Sequence, residues 1–346
     1  MSEMKILDKA KLVEFIEKLG ADFEVIVPRH EDGNLVFGSL DHTQPVVEFT
    51  GKPLVPPKEY LFPQREELLT FTVKGKEIRV EAHPDKVKRV IWGIRPCDLA
   101  GIKTLDTIFL SNYIDNYYQA RRENTILMGL NCNEPCSSGF CSPLGTGPFA
   151  KDSFDLLFTD LGNRFLIETG SEAGRELVAS SADLFAEARD ADKAELRKLE
   201  EKCKRAFESP LPSTVDLATV SNKLSGAWGD ALWTEESETC ILCGGCNFIC
   251  PTCHCFNIED IPAEQQGVST RVRYWDSCQL GGFTQMAAEN TRRTQAERLR
   301  QRVFHKLVYI PDKYNGAVGC TGCGRCIEVC PGEISITNIL GRVMRK

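Results

Sequence analysis

Cys240-Ile-Leu-Cys243-Gly-Gly-Cys246-Asn-Phe-Ile-Cys250-Pro251 decides how this chain is read, because the pattern returns as Cys320-Thr-Gly-Cys323-Gly-Arg-Cys326-Ile-Glu-Val-Cys330-Pro331. Each run spaces its cysteines x2, x2, x3 and closes on proline. Four thiolates hold a [4Fe–4S] cluster, and in proteins with two such runs the fourth cysteine of each serves the other cluster. The expected sets are Cys240, Cys243, Cys246 and Cys330 for one cluster, and Cys320, Cys323, Cys326 and Cys250 for its neighbour. Soft sulfur also suits zinc. A closed zinc site, however, needs two Cys-x2-Cys pairs and leaves a third cysteine, the x3 step and the proline unexplained in both runs. Gly244, Gly245, Gly322 and Gly324 supply loops where backbone N–H groups can approach cluster sulfur.

The surrounding chain is that of an ordinary folded protein: 346 residues, 42% hydrophobic, 26% charged, net charge −7. That charge offers no general attraction for nucleic acid. Sixteen cysteines point to metal rather than disulfides in a reducing compartment, and the five scattered histidines form no zinc-hydrolase helix motif. Met1 is followed by no charged-then-apolar leader, and no apolar stretch reaches the ~18 residues of a membrane span. A cytoplasmic protein is expected.

Outward from the runs, 69 residues separate Cys250 from Cys320, and Thr284 to Lys306, free of glycine and proline, reads as helix. An α-helical ferredoxin arrangement follows, rather than the compact β-rich one. Toward the N-terminus, Leu12, Phe15, Ile16 and Leu19 recur at helical spacing before Gly20, and Phe23 to Val27 reads as a strand. Val90 to Ile94 and Ile126 to Leu130 read as buried strands ending in cysteine-bearing loops. Phe154 to Ile167 reads as a hairpin and Lys193 to Phe207 as an amphipathic helix. Ser209-Pro210-Leu211-Pro212-Ser213-Thr214 has linker composition. The expected fold is α+β: an N-terminal mixed α/β domain over 1–210, with an additional iron–sulfur site, then an α-helical ferredoxin-like dicluster domain over 211–346.

Beyond the runs, Cys250-Pro-Thr-Cys253-His-Cys255-Phe256, Trp275-Asp-Ser-Cys278, Arg298-Leu-Arg-Gln-Arg302, Arg95-Pro-Cys97-Asp-Leu-Ala100, Asn131-Cys132, Phe140-Cys141 and Leu144-Gly-Thr-Gly-Pro148 complete a pattern. It resembles the family that joins sulfhydrogenase β-subunits to the electron-transfer subunits of anaerobic sulfite reductases. The resemblance implies an electron-transfer protein that connects a flavin subunit using NAD(P)H to a hydrogenase, sulfite reductase or disulfide-reductase type partner. FAD and NAD(P) are then expected on the partner subunit. The chain agrees in having no Walker motif, and in following Gly145-Thr146-Gly147 with Pro148 rather than a Gly-x-x-Gly helix start. On likeness alone, Tyr117, Tyr118, Arg121 and Arg122 would face a partner.

Cys97, Cys132, Cys136 and Cys141 lie in loops after the two strand-like segments, where one further [4Fe–4S] cluster can gather them; buried thiols packing as small hydrophobes are the alternative. The resembled family keeps counterparts of Cys97, Cys132 and Cys141 but often carries a cysteine where this chain has Gly139, a departure that leaves open whether Cys136 replaces that ligand. Cys253, Cys255 and Cys278 are open to further ligation, even of a fourth cluster, to a redox-active pair, or to support of the dicluster. They also frame the rival function, a catalytic reductase acting on a small sulfur substrate. Cys203 shares a helix face with Leu196, Leu199 and Phe207 and reads as core. Arg292, Arg293, Arg298, Arg300, Arg302 and Lys306 form a basic segment, read as a solvated face, a partner dock or an offset to cluster charge.

Overall fold

The computed structural model describes residues 4–40, 51–208 and 211–345; Ser209 and Pro210 of the expected linker lie outside them. Its strands are β1 Met4–Asp8, β2 Glu24–Glu31, β3 Asn34–Ser39, β4 Arg65–Lys74, β5 Glu77–Ala82, β6 Arg89–Ile94, β7 Thr125–Leu130, β8 Leu156–Asp160, β9 Arg164–Thr169, β10 Phe185–Glu187, β11 Phe256–Pro262 and β12 Val268–Trp275. Eight of them form a mixed sheet in the order β10-β1-β9-β8-β7-β6-β2-β3, with β2, β6, β7 and β8 parallel. Helices cover both faces, so the central strands are apolar on both sides. Val90 and Trp92 of β6 face a core with Leu12, Phe15 and Ile16 of the helix Leu12–Leu19. Ile91 and Ile94 face Leu99, Ile102 and Leu105 of the helix Pro96–Phe109.

The parallel centre fixes where chemistry collects. Connections leave the carboxyl ends of parallel strands on one edge of the sheet; after β7 a loop carries Cys132, whereas Cys97, expected in a loop, lies in the first turn of the helix that follows β6, because Pro96 starts that helix directly after the strand.

A second, antiparallel sheet runs β11-β12-β4-β5. Its centre joins distant parts of the chain, with Thr70 of β4 opposite Thr270 of β12. The β11–β12 hairpin sits inside the insert between the two cysteine runs, in the β-branched and aromatic stretch Val268-Ser-Thr-Arg-Val-Arg-Tyr-Trp275. Beneath it, the buried Glu66 accepts from Arg121 Nη1 and Arg273 Nε, both at 2.6 Å. Tyr118 is buried as well, donating to Asp106 at 2.7 Å. Tyr118 and Arg121 thus work inside the molecule and not at a partner surface.

The rest of the second half is helical. Leu217–Gly226, Leu232–Glu236, Gln295–Phe304 and Ile336–Met344 share a core built on Leu224, Trp233, Val303 and Ile339, into which the first half inserts Phe140 and Leu144. The helix expected over 284–306 begins only at Gln295. Thr294 Oγ1 accepts from the Glu297 N–H at 3.2 Å and Glu297 Oε2 from the Thr294 N–H at 2.9 Å, a capping box that fixes the start. Among the described residues no helix is long and apolar enough to cross a membrane.

Candidate metal centre

The two cysteine runs repeat each other in backbone as well as sequence. Leu242 (φ 56°) matches Gly322 (φ 63°), and Gly244 (φ 76°) matches Gly324 (φ 77°). Each left-handed turn launches a four-residue helix, Gly245–Phe248 or Arg325–Glu328, and these two helices pack together. A left-handed leucine costs ~1–2 kcal/mol, so the loop shape is imposed by its surroundings. At Gly322 a side chain is barred: its Cβ would lie 2.6 Å from the Phe140 carbonyl oxygen and 2.7 Å from the Cys141 nitrogen.

Cys240, Cys243, Cys246, Cys326 and Cys330 line one recess, with Leu299 and Arg302. The fourth cysteine of the second run therefore stands with the first three of the first. Conversely, Cys250 lies within electrostatic reach of Cys320 and Cys323, as does Cys326. Among the described residues no three Cys, His, Asp or Glu side chains are disposed around a single ion; the thiols surround spaces instead. Burial pushes Cys246 and Cys323 up to about 11 and Cys320 up to about 12. A metal that binds here must displace protons.

Cations answer that demand. Arg298, Arg302 and Lys306 recur every four residues and are all buried, on a helix that passes into a π-turn at His305–Tyr309. Lys306 Nζ donates to Cys250 Sγ at 3.0 Å and to Thr252 Oγ1 at 2.9 Å. Burial opposes its charge, but Cys250 and Cys253 outweigh it and hold the ammonium protonated. Arg302 Nε donates to Asn247 Oδ1 at 3.0 Å, and Arg298 Nη1 to the Cys278 carbonyl at 3.0 Å. Arg292, Arg293 and Arg300 point elsewhere; the Arg300 guanidinium lies 4.0 Å from the centre of the Trp228 ring. The basic segment thus divides, with Arg298, Arg302 and Lys306 turned inward toward the cysteine-bearing loops.

Cys97, Cys132, Cys136 and Cys141 line a second recess together with Lys52, Arg95, Gly139 and Cys323. Buried Cys97 and Cys141 pack against Cys323, so this group adjoins the second run. Burial pushes Cys132 up to about 11. Nearby, fully buried Arg325 grips Asp98 through two hydrogen bonds of 2.5 and 2.8 Å and donates to the Pro53 carbonyl. Cys203 is buried on the helix Asp190–Arg205.

Cys253 lies beside Cys250 and Cys255 beside Cys278, and within each pair one thiol shifts the other's ionisation. Lys58, absent from every motif, is buried with Nζ donating to the Cys253 carbonyl at 3.0 Å and lying 3.9 Å from the Trp275 ring centre. Burial lowers it to about 8. The Asp98–Arg325 pair, Asn247 and Lys58 were not legible as site residues; the one sequence signal was the four-residue spacing of Arg298, Arg302 and Lys306.

Paired thiol loops, a glycine that yields to neighbouring backbone and buried cations define an iron–sulfur protein of the dicluster class. Residues 239–334 match the family described as 4Fe-4S dicluster domain. Sulfhydrogenase 2 subunit beta of Pyrococcus furiosus is 33% identical over 308 residues, covering 88% of this chain and 85% of that protein. The chain belongs to the sulfhydrogenase β-subunit family of iron–sulfur electron-transfer proteins. No solved structure matches it.

Proposed function

We propose that this chain is the electron relay of a multisubunit redox complex, with two crossed [4Fe–4S] clusters in an α-helical ferredoxin arrangement. Cys240, Cys243, Cys246 and Cys330 hold one; Cys320, Cys323, Cys326 and Cys250 hold the other. The observation that carries this is the company of the two fourth cysteines: Cys330 lines the recess of the first run, while Cys250 lies near Cys320 and Cys323. Cys97, Cys132, Cys136 and Cys141 hold a third cluster, supported by their common recess and its contact with Cys323.

Such clusters supply one-electron chemistry. The chain's own residues provide thiolate ligands, exclude water around them and set buried positive charge against their negative charge. A flavin subunit using NAD(P)H takes electrons in pairs and returns them singly, which suits a relay at its side. The name of the Pyrococcus furiosus relative favours a hydrogenase as the other partner.

Metal and sulfide analysis with electron paramagnetic resonance on anaerobically purified protein tests the proposal. Three clusters require about twelve iron atoms per chain and two require about eight. Zinc without iron overturns the relay, and iron near eight removes the third cluster alone.

A further inference from the structure

We propose that Cys255 and Cys278 form a redox-active dithiol, which closes to a disulfide by passing one electron to each of two neighbouring [4Fe–4S] clusters and reopens by taking them back. The inference rests on the cluster assignment above and adds a two-electron station to it.

The fold brings this pair together by strand register. β11 and β12 are paired so that Phe256 lies opposite Trp275, and the Asp276 N–H donates to the Cys255 carbonyl at 3.0 Å. Residues well separated in sequence thus meet just past the end of a hairpin, and the two thiols lie close enough for each to shift the other's ionisation. Neither thiol belongs to the x2, x2, x3 cysteine runs, and neither lines the recess of the first run or that of Cys97, Cys132, Cys136 and Cys141.

The two sulfurs have different surroundings. Cys278 is buried, and its Sγ accepts from Asn247 Nδ2 at 3.0 Å and, more distantly, from Gln279 Nε2 at 3.8 Å. Cys255 beside it, and then these donors, favour a thiolate and hold Cys278 below the ordinary thiol value. Cys255 is less buried and is the member that keeps its proton. Oxidation breaks the Cys255 S–H bond, forms the S–S bond to Cys278, and releases one proton and two electrons. Two oxidised clusters take one electron each. Reduction reverses every step.

Asn247 makes the link to the clusters physical. It lies inside the first run, between Cys246 and Cys250, and the same side-chain nitrogen that reaches Cys278 also donates to Ser277 Oγ at 3.0 Å. Its oxygen accepts from Arg302. One side chain therefore connects a cluster loop, a buried cation and the dithiol.

The test uses the full chain with its clusters, poised anaerobically with redox dyes at reducing and oxidising potentials, acid-quenched, alkylated in denaturant and mapped by mass spectrometry. The expected result is Cys255 and Cys278 alkylated separately in the reduced sample and recovered as one cross-linked pair in the oxidised sample. Cys255→Ser and Cys278→Ser should each keep the parent's iron content and cluster spectra while the chain takes up two fewer electrons in coulometric titration. Free thiols at both positions when the clusters are oxidised would overturn the proposal. So would loss of about four iron atoms in either variant, which would make the residue a ligand. Failure of the cluster assignment reads differently: the parent protein itself would lack iron.

Discussion

At the scale of single residues, buried charges govern this molecule. Arg325 and Asp98 are both fully buried, and removing one member of such a pair leaves the other uncompensated at ~3–5 kcal/mol. Asp98→Ala should therefore lower the unfolding free energy from a denaturant titration by that amount, and Asp98→Leu combined with Arg325→Met should recover much of it. Lys306 makes a different kind of contribution. Its ammonium hydrogen bond to Cys250 favours the more negative, reduced state of whatever cluster Cys250 holds. Lys306→Met should shift that cluster's midpoint to lower potential with iron content unchanged; an unmoved potential in a spectroscopic redox titration would remove this role. The paired cysteine runs were legible from spacing alone. The cations around them were not, since a buried lysine and a surface lysine look identical until the helix carrying them is docked.

Elements show where local sequence rules succeed and where tertiary context wins. The helix Asp190–Arg205 opens with the Asp192 carboxylate accepting from the Arg189 N–H at 2.9 Å and from Arg164 of β9 at 2.8 Å. The backbone hydrogen bond, with Arg164 added to it, holds the Asp192 pKa below its ordinary value. A depressed carboxylate stabilises the fold fully above its unfolded value of about 3.9, and that stability is lost as pH falls through the lower native value. Asp192→Asn should flatten the acid limb of a stability–pH curve and leave the neutral region's slope unchanged. Leu12–Leu19 and the β8–β9 hairpin follow their sequence periodicities closely because each pattern is local. The β11–β12 hairpin was hidden in an insert expected to be helical: its strands are fixed by β4, far upstream in the first half, and nothing within the insert announces that partner.

For the whole molecule, the important fact is how the two halves interlock. β4 completes its sheet with β12, Phe140 and Leu144 fill the helical core, and the Phe140 N–H donates to the Gly322 carbonyl at 2.7 Å. Residues 211–346 produced alone should thus lose cooperative unfolding and retain less iron than the full chain, while adding 51–208 in trans should restore part of both. A sharp, iron-replete transition in the isolated fragment would contradict this. Fold class and the dicluster were legible from sequence because their signals are dense and local, whereas this interlock depends on pairs that only folding brings together. The β4–β12 pairing also sets a timetable for biogenesis. β4 ends at Lys74 and β12 begins at Val268, so at ~5–20 residues per second the ribosome leaves that edge of β4 without its partner for roughly 10–40 s. During that wait the unpaired backbone of this edge is open to pairing with another chain, so slower synthesis should lower the yield of folded protein.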